Sequence, residues 1–214
     1  MDGLRRGERS RPTTAWKKFC DFFFSADVVL IYEKAPEEFI YPVHAKILLG
    51  AGLLALIVPS VIGNYFPDSG PVIRDKKARI YSAGQAAAPK KAPPAVKLAI
   101  WAGNQLCSKP YRHGGGHHSF DDMGYDCSGT ISYVLGAAGL ISSPMSSTEF
   151  RRYGKRGRGK WITIYAHDGH TFAVIAGLRL DTTPYDNYTG RWAPRWQTTD
   201  RPPHGFQARH PVGL

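Results

Sequence analysis

Gly124-Tyr125-Asp126-Cys127-Ser128-Gly129 places a thiol where a loop turns into a helix. Ile131, Val134, Leu135 and Ala138 follow at i, i+3, i+4 and i+7, one face of a helix, with Asp126 suited to the N-cap and Gly139 to the stop. Cys127 then lies in the first turn, where backbone N–H groups lack intrahelical acceptors and the helix dipole is positive. Both favour a thiolate, the dipole by about 0.3–1 kcal/mol on a surface helix. A free thiol with a pKa of about 8.5 is only a few per cent ionised at neutral pH. The dipole alone does not close that gap, so a nucleophilic Cys127 needs a basic partner. The same N–H groups would hold the oxyanion formed when a thiolate attacks a carbonyl. His170 is the candidate base. It opens the apolar stretch Thr171-Phe172-Ala173-Val174-Ile175, which predicts a strand holding the ring at the rim of a sheet. The plainer reading of Cys127, a small buried hydrophobe, stands beside this one.

Three segments taken together resemble the NlpC/P60 family of cell-wall cysteine peptidases. They are Lys109-Pro110-Tyr111-Arg112-His113-Gly114-Gly115, Asp126-Cys127-Ser128-Gly129, and Gly169 through Gly177. The resemblance covers residues 95–214 and implies a papain-like α+β domain with helices packed on a small antiparallel sheet. It also implies Cys127 as nucleophile, His170 as base and a polar residue on the next strand to orient the imidazole. Asp181 occupies that last place, where the family more often has histidine, asparagine or glutamine; a surface salt bridge is the other reading of Asp181. Asp126 and Ser128 would read the stem-peptide end of a peptidoglycan substrate, or serve locally as helix cap and first-turn residue. No cofactor and no metal are implied. The Gly-Asp strand motif usual before the histidine is replaced by Trp161-Ile162-Thr163-Ile164-Tyr165, and Gly190 to Trp196 also departs from the common pattern.

The elements that must position these residues follow from the rest of the chain. Leu98, Trp101, Ala102 and Leu106 predict a helix over 95–107, ended by Pro110. Strands are predicted at Trp161–Tyr165, His170–Ala176 and Leu178–Thr182. Upstream, residues 1–44 read as an N-terminal polar and amphipathic segment, with 16–32 suited to an interfacial helix or a partner-bound one. Residues 45–66 are uncharged between Lys46 and Asp68 and long enough for a single transmembrane helix, with Tyr65 and Phe66 at an interface. Residues 67–94, with Ala86-Ala87-Ala88-Pro89-Lys90-Lys91-Ala92-Pro93-Pro94, read as an extended linker.

All but one of the +11 net charges come from residues beyond 66, and the excess suits an anionic polymer or surface, yet no nucleic-acid-binding motif accompanies it. The resemblance implies peptidoglycan as a partner, and residues 45–66 one membrane contact, with no specific nucleic acid; oligomeric state is not legible. The basic run Arg151, Arg152, Lys155, Arg156, Arg158 and Lys160 reads as a solvated loop or an anion-binding one. Three cysteines exclude a disulfide-rich scaffold, and Cys107 is expected buried and reduced. Flanking charge alone would leave the C-terminal domain in the cytoplasm, whereas the resemblance implies the periplasmic side of the inner membrane. The expected function is hydrolysis of an amide bond in the stem peptide. The alternatives are a non-catalytic wall-binding or assembly protein and a metal-dependent hydrolase using the histidine-rich loop around His113, His117 and His118, together with Asp121, Asp122 and His167.

Overall fold

In the computed structural model the described residues are 30–36, 66–183, 192–198 and 204–214. They form a mixed α+β structure with two sheets. Strands β1 (Ile31–Lys34), β2 (Ser69–Ile73), β3 (Arg79–Ile80) and β4 (Ala86–Pro89) make a four-stranded sheet in the order β1-β2-β4-β3. Its β2–β4 pair is parallel, whereas β1–β2 and β3–β4 are antiparallel. Helix α1 (Pro94–Leu106), helix α2 (Cys127–Ala137) and the single turn α3 (Ser147–Phe150) follow. Strands β5 (Lys155–Arg156), β6 (Ile162–His167), β7 (His170–Ile175), β8 (Leu178–Asp181), β9 (Arg195–Gln197) and β10 (Gln207–His210) make an antiparallel sheet in the order β5-β10-β6-β7-β8-β9.

Strand alternation divides the larger sheet into two faces. Ile162, Ile164, Ala173, Ile175, Leu178, Leu180 and Trp196 join the core with the helices. Thr163, Tyr165, His167, His170, Phe172, Val174, Arg179 and Asp181 occupy the other register positions, so they share the outer face. The β7–β8 connection is a two-residue turn with Ala176 and Gly177 both at positive φ, the conformation that matches the twist of a hairpin.

Three expectations are corrected. The segment 67–94 is not a linker. Its alanines are small enough to let β4 lie directly on α1, and Ala86, Ala87 and Ala88 are fully buried. Asn104 of α1 bonds both the N–H and the C=O of Ala86, at 2.7 and 2.8 Å, and accepts from Trp196 Nε1 at 3.0 Å, so one side chain ties both sheets to the helix. Trp101 Nε1 donates to Pro71 O, and its ring fills the space a Cβ on Gly70 would need. Composition suggested an extended tether because Ala and Pro favour one; burial decided otherwise.

Within the N-terminal polar segment, residues 31–34 form β1, and Glu33 pairs with Lys97 of α1. The domain therefore draws on more chain than residues 95–214. The third correction concerns the fold itself, expected as a small antiparallel papain-like sheet behind a spanning helix. Two sheets are present, one of them mixed, and among the described residues no helix is long and apolar enough to cross a membrane. Residues 45–65 lie outside the described residues. Phe66, expected at an interface, instead packs its ring against Phe120 and Tyr133, at centroid distances of 5.6 and 5.1 Å.

Candidate active site

The helix carrying the thiol starts where the sequence predicts. Asp126 is the N-cap of α2 and accepts from Gly129 N at 2.8 Å. Its carboxylate also takes Gly114 N at 3.1 Å and Ser128 Oγ at 3.1 Å, and His117 Nε2 lies 2.9 Å from Oδ2. His117 Nε2 is also 2.9 Å from Ser128 Oγ. Asp126 thus fastens the glycine-rich loop onto the start of α2. The approach is close enough to require glycine on both sides. A Cβ on Gly129 would lie 2.0 Å from Gly115 O, and one on Gly115 would lie 2.2 Å from Gly124 O.

Cys127 is 9 % exposed and uncrosslinked. No acceptor among the described residues takes its backbone N–H or that of Ser128. Two oriented donors thus stand beside the sulfur, as an oxyanion requires.

His170 stands at the first position of β7, with its ring near enough to the Cys127 side chain for each to feel the other's charge. Its Nε2 lies 3.0 Å from Asp181 Oδ1 and 3.1 Å from Thr183 Oγ1, which leaves Nδ1 for the thiol. Burial works against a charged imidazole here. The hydrogen bond to Asp181 and the negative charges on Asp181 and Cys127 outweigh it, raising the His170 pKa to about 9.

Asp181 is fully buried, which by itself would neutralise it. His170 and the Arg179 guanidinium overcome that and hold its carboxyl below the usual range. Arg179 Nε donates to Asp181 Oδ2 at 2.8 Å, with a second bond from Nη2, and Thr183 N donates to Oδ1 at 3.1 Å. The guanidinium carbon in turn stacks 3.5 Å above the Phe172 ring. Imidazole and carboxylate are therefore paired on the side of the sheet that the thiol faces, with the acid clamped from behind.

Cys127, His170 and Asp181 come together from three elements separated in sequence. Asp126 and Ser128 lie beside the sulfur, engaged by His117. The histidine-rich loop does not gather: His113 and His118 are exposed, and the ring of His167 packs 4.1 Å from that of Phe206. Among the described residues no three His, Cys, Asp or Glu side chains form a metal-holding group. Cys107 is free as expected but only half-buried, with burial pushing its thiol up to about 11.

Two further residues belong to the site. Arg179 gave no sequence signal beyond its i, i+2 spacing from Asp181, which puts both on one face of a strand. Tyr111 lies in the turn before α2. Burial and the nearby charges of Cys127 and Asp126 raise its phenol pKa, and its ring packs against Trp192. The signal was its place next to Pro110 in a turn that borders the helix start.

Comparison with known protein families finds no match to the chain, and no curated protein matches it. The likeness noted above therefore rests on residues 109–177 themselves.

Proposed function

We propose that the chain is a cysteine-type amide hydrolase acting on the stem peptides of peptidoglycan. The observation that carries this reading is the His170–Asp181 pair set near Cys127, with free backbone donors at the start of its helix. A structural cysteine needs no imidazole, no buried carboxylate behind it and no arginine behind that. His170 takes the Cys127 thiol proton, Sγ attacks the amide carbonyl carbon, and the N–H groups of Cys127 and Ser128 stabilise the oxyanion. The C–N bond breaks as the His170 imidazolium gives its proton to the leaving amine, and a thioester remains on Cys127. Water then attacks the thioester, His170 takes its proton, and a carboxylic acid leaves as the thiol is restored. Asp181 holds the ring orientation and stabilises the imidazolium.

The stem-peptide substrate is supported by the motif resemblance, and it would put the reacting domain outside the cytoplasmic membrane. The test is incubation of the purified chain with peptidoglycan sacculi, followed by mass spectrometry of the released fragments. Cleavage at a stem-peptide amide is expected, abolished by Cys127→Ala or iodoacetamide and untouched by a chelator. No release, equal release by Cys127→Ala, or loss only with the chelator would overturn the proposal.

A further inference from the structure

The outer face of the larger sheet carries a second feature that hydrolysis does not use. Thr163, Tyr165, Phe172 and Val174 floor a cleft of about 1010 Å³ between the two sheets. Its walls carry Arg74, Lys76, Lys77, Lys91, Arg158 and Lys160, contributed by three separate stretches of chain. Asp75 is the acidic side chain in the lining, and it is paired with Arg79. None of the six cations has a carboxylate partner among the described residues.

The walls are built rather than draped. Ala78 N donates to Ala176 O at 2.9 Å and Lys90 N to Ile73 O at 2.8 Å, while Lys160 N donates to Leu214 O at 3.0 Å. Lys77 lies across Gly177, with its Cδ 3.1 Å from where a Cβ would be. Folding has therefore brought like charges together on hydrogen-bonded turns, a self-repulsion that an anionic occupant would relieve.

The chemistry of the lining narrows that occupant. The volume is at the upper limit of small-molecule sites, about 300–1,000 Å³, and such sites are mostly apolar with few charges. Charges spread along three walls suit repeated anions on a chain. Four of the six cations are lysines, point charges that take tetrahedral phosphate oxygens from any direction, and the two arginines can fork onto the same groups. Single-stranded nucleic acid would need open aromatic faces on which successive bases stack. Tyr165 and Phe172 are instead stacked on each other, Arg179 covers Phe172, and Lys160 lies over Trp161.

We infer that this cleft binds a phosphodiester-linked sugar or polyol polymer, holding the protein on an anionic chain separate from the one it cuts. The site does not depend on the thiol, so its failure and that of the hydrolase reading are distinguishable.

The test is binding of synthetic poly(glycerol phosphate) to the full chain carrying Cys127→Ala, across a salt series. Binding should weaken steeply with salt. The pairs Lys76→Glu/Lys77→Glu and Arg158→Glu/Lys160→Glu should each lower affinity about tenfold or more, as loss and reversal of phosphate contacts require. Lys34→Glu, on β1 away from the cleft, should leave it unchanged. Salt-independent binding, no binding, equal loss with Lys34→Glu, or tighter binding of polyuridylate or polyglutamate would overturn the inference.

Discussion

At one end of the outer sheet face, His170, Asp181 and Arg179 form a closed chain of opposite charges almost shut off from water. At the other end, six lysines and arginines line an open cleft with Asp75 the one carboxylate among them. The two ends share strands β7 and β8, and Arg179 touches both. In the closed network each charge is the solvation of the next. Removing one leaves another buried and unpaired, which costs several kcal/mol and disturbs geometry and pKa together. In the open cleft each charge is solvated by water, so losing one barely affects folding and is felt only by a ligand. Buried pairing sets reactivity; exposed excess sets affinity.

This contrast can be broken most sharply at the sulfur. Cys127→Ala should lower peptide hydrolysis about 10⁴-fold or more while leaving the melting temperature and poly(glycerol phosphate) binding unchanged. Residual hydrolysis within tenfold of the parent would remove the thiol from the mechanism. Next in size is Asp181→Ala, expected to cost about 10⁴-fold in kcat as the imidazole loses its orienting acceptor. Removing that partner should also cost about 3–5 kcal/mol in urea unfolding, because Arg179 stays buried. The paired change Arg179→Met with Asp181→Leu should recover much of that stability and none of the activity. Recovery of activity would show that the acid only fills space.

Gly129→Ala drives a Cβ into Gly115 O and should destabilise the chain by about 1–3 kcal/mol, with loss of activity from a displaced helix start.

Acid and base should then separate the two ends. The folded pKa of His170 is raised above its ordinary 6.5 to about 9. Its contribution to stability is therefore complete below about 6.5 and lost as pH rises to 9. Asp181 works in the opposite sense: its lowered pKa contributes above the ordinary carboxylate range and is lost on acidification. Hydrolysis should fall as pH rises through about 9, when the imidazolium no longer supplies the proton for the leaving amine. A rate still rising above 10 would contradict that assignment. Smallest of all, Lys76→Glu with Lys77→Glu should shift stability by no more than about 0.5 kcal/mol, read by thermal unfolding.

The legibility of these regions in the sequence follows the same division. The helix start at Asp126-Cys127, the strand opening at His170 and the following strand through Asp181 all come from short-range signals: a cap residue, periodicity, β-branched runs. Those signals are local, and the structure keeps them. What they could not carry was the meeting of distant pieces. Ala86 to Ala88 look like a tether until Asn104, eighteen residues on, takes both backbone groups of Ala86. Ile31 to Lys34 give no hint that β2 lies forty residues away. His117 reads as a metal ligand type by its neighbours and turns out to bind Asp126. The basic run was visible as Arg158 and Lys160; the matching wall at Arg74, Lys76 and Lys77 was assigned to a linker, so the cleft existed in neither piece alone.

The central claim is that His170 makes Cys127 a nucleophile. Alkylation by iodoacetamide at neutral pH, with sites quantified by mass spectrometry, tests it within one molecule because Cys107 serves as the internal reference. Cys127 should react much faster than Cys107, whose thiol is held near 11, and His170→Ala should erase most of that advantage. Equal rates at the two cysteines, or a Cys127 rate that His170→Ala does not change, would contradict the account.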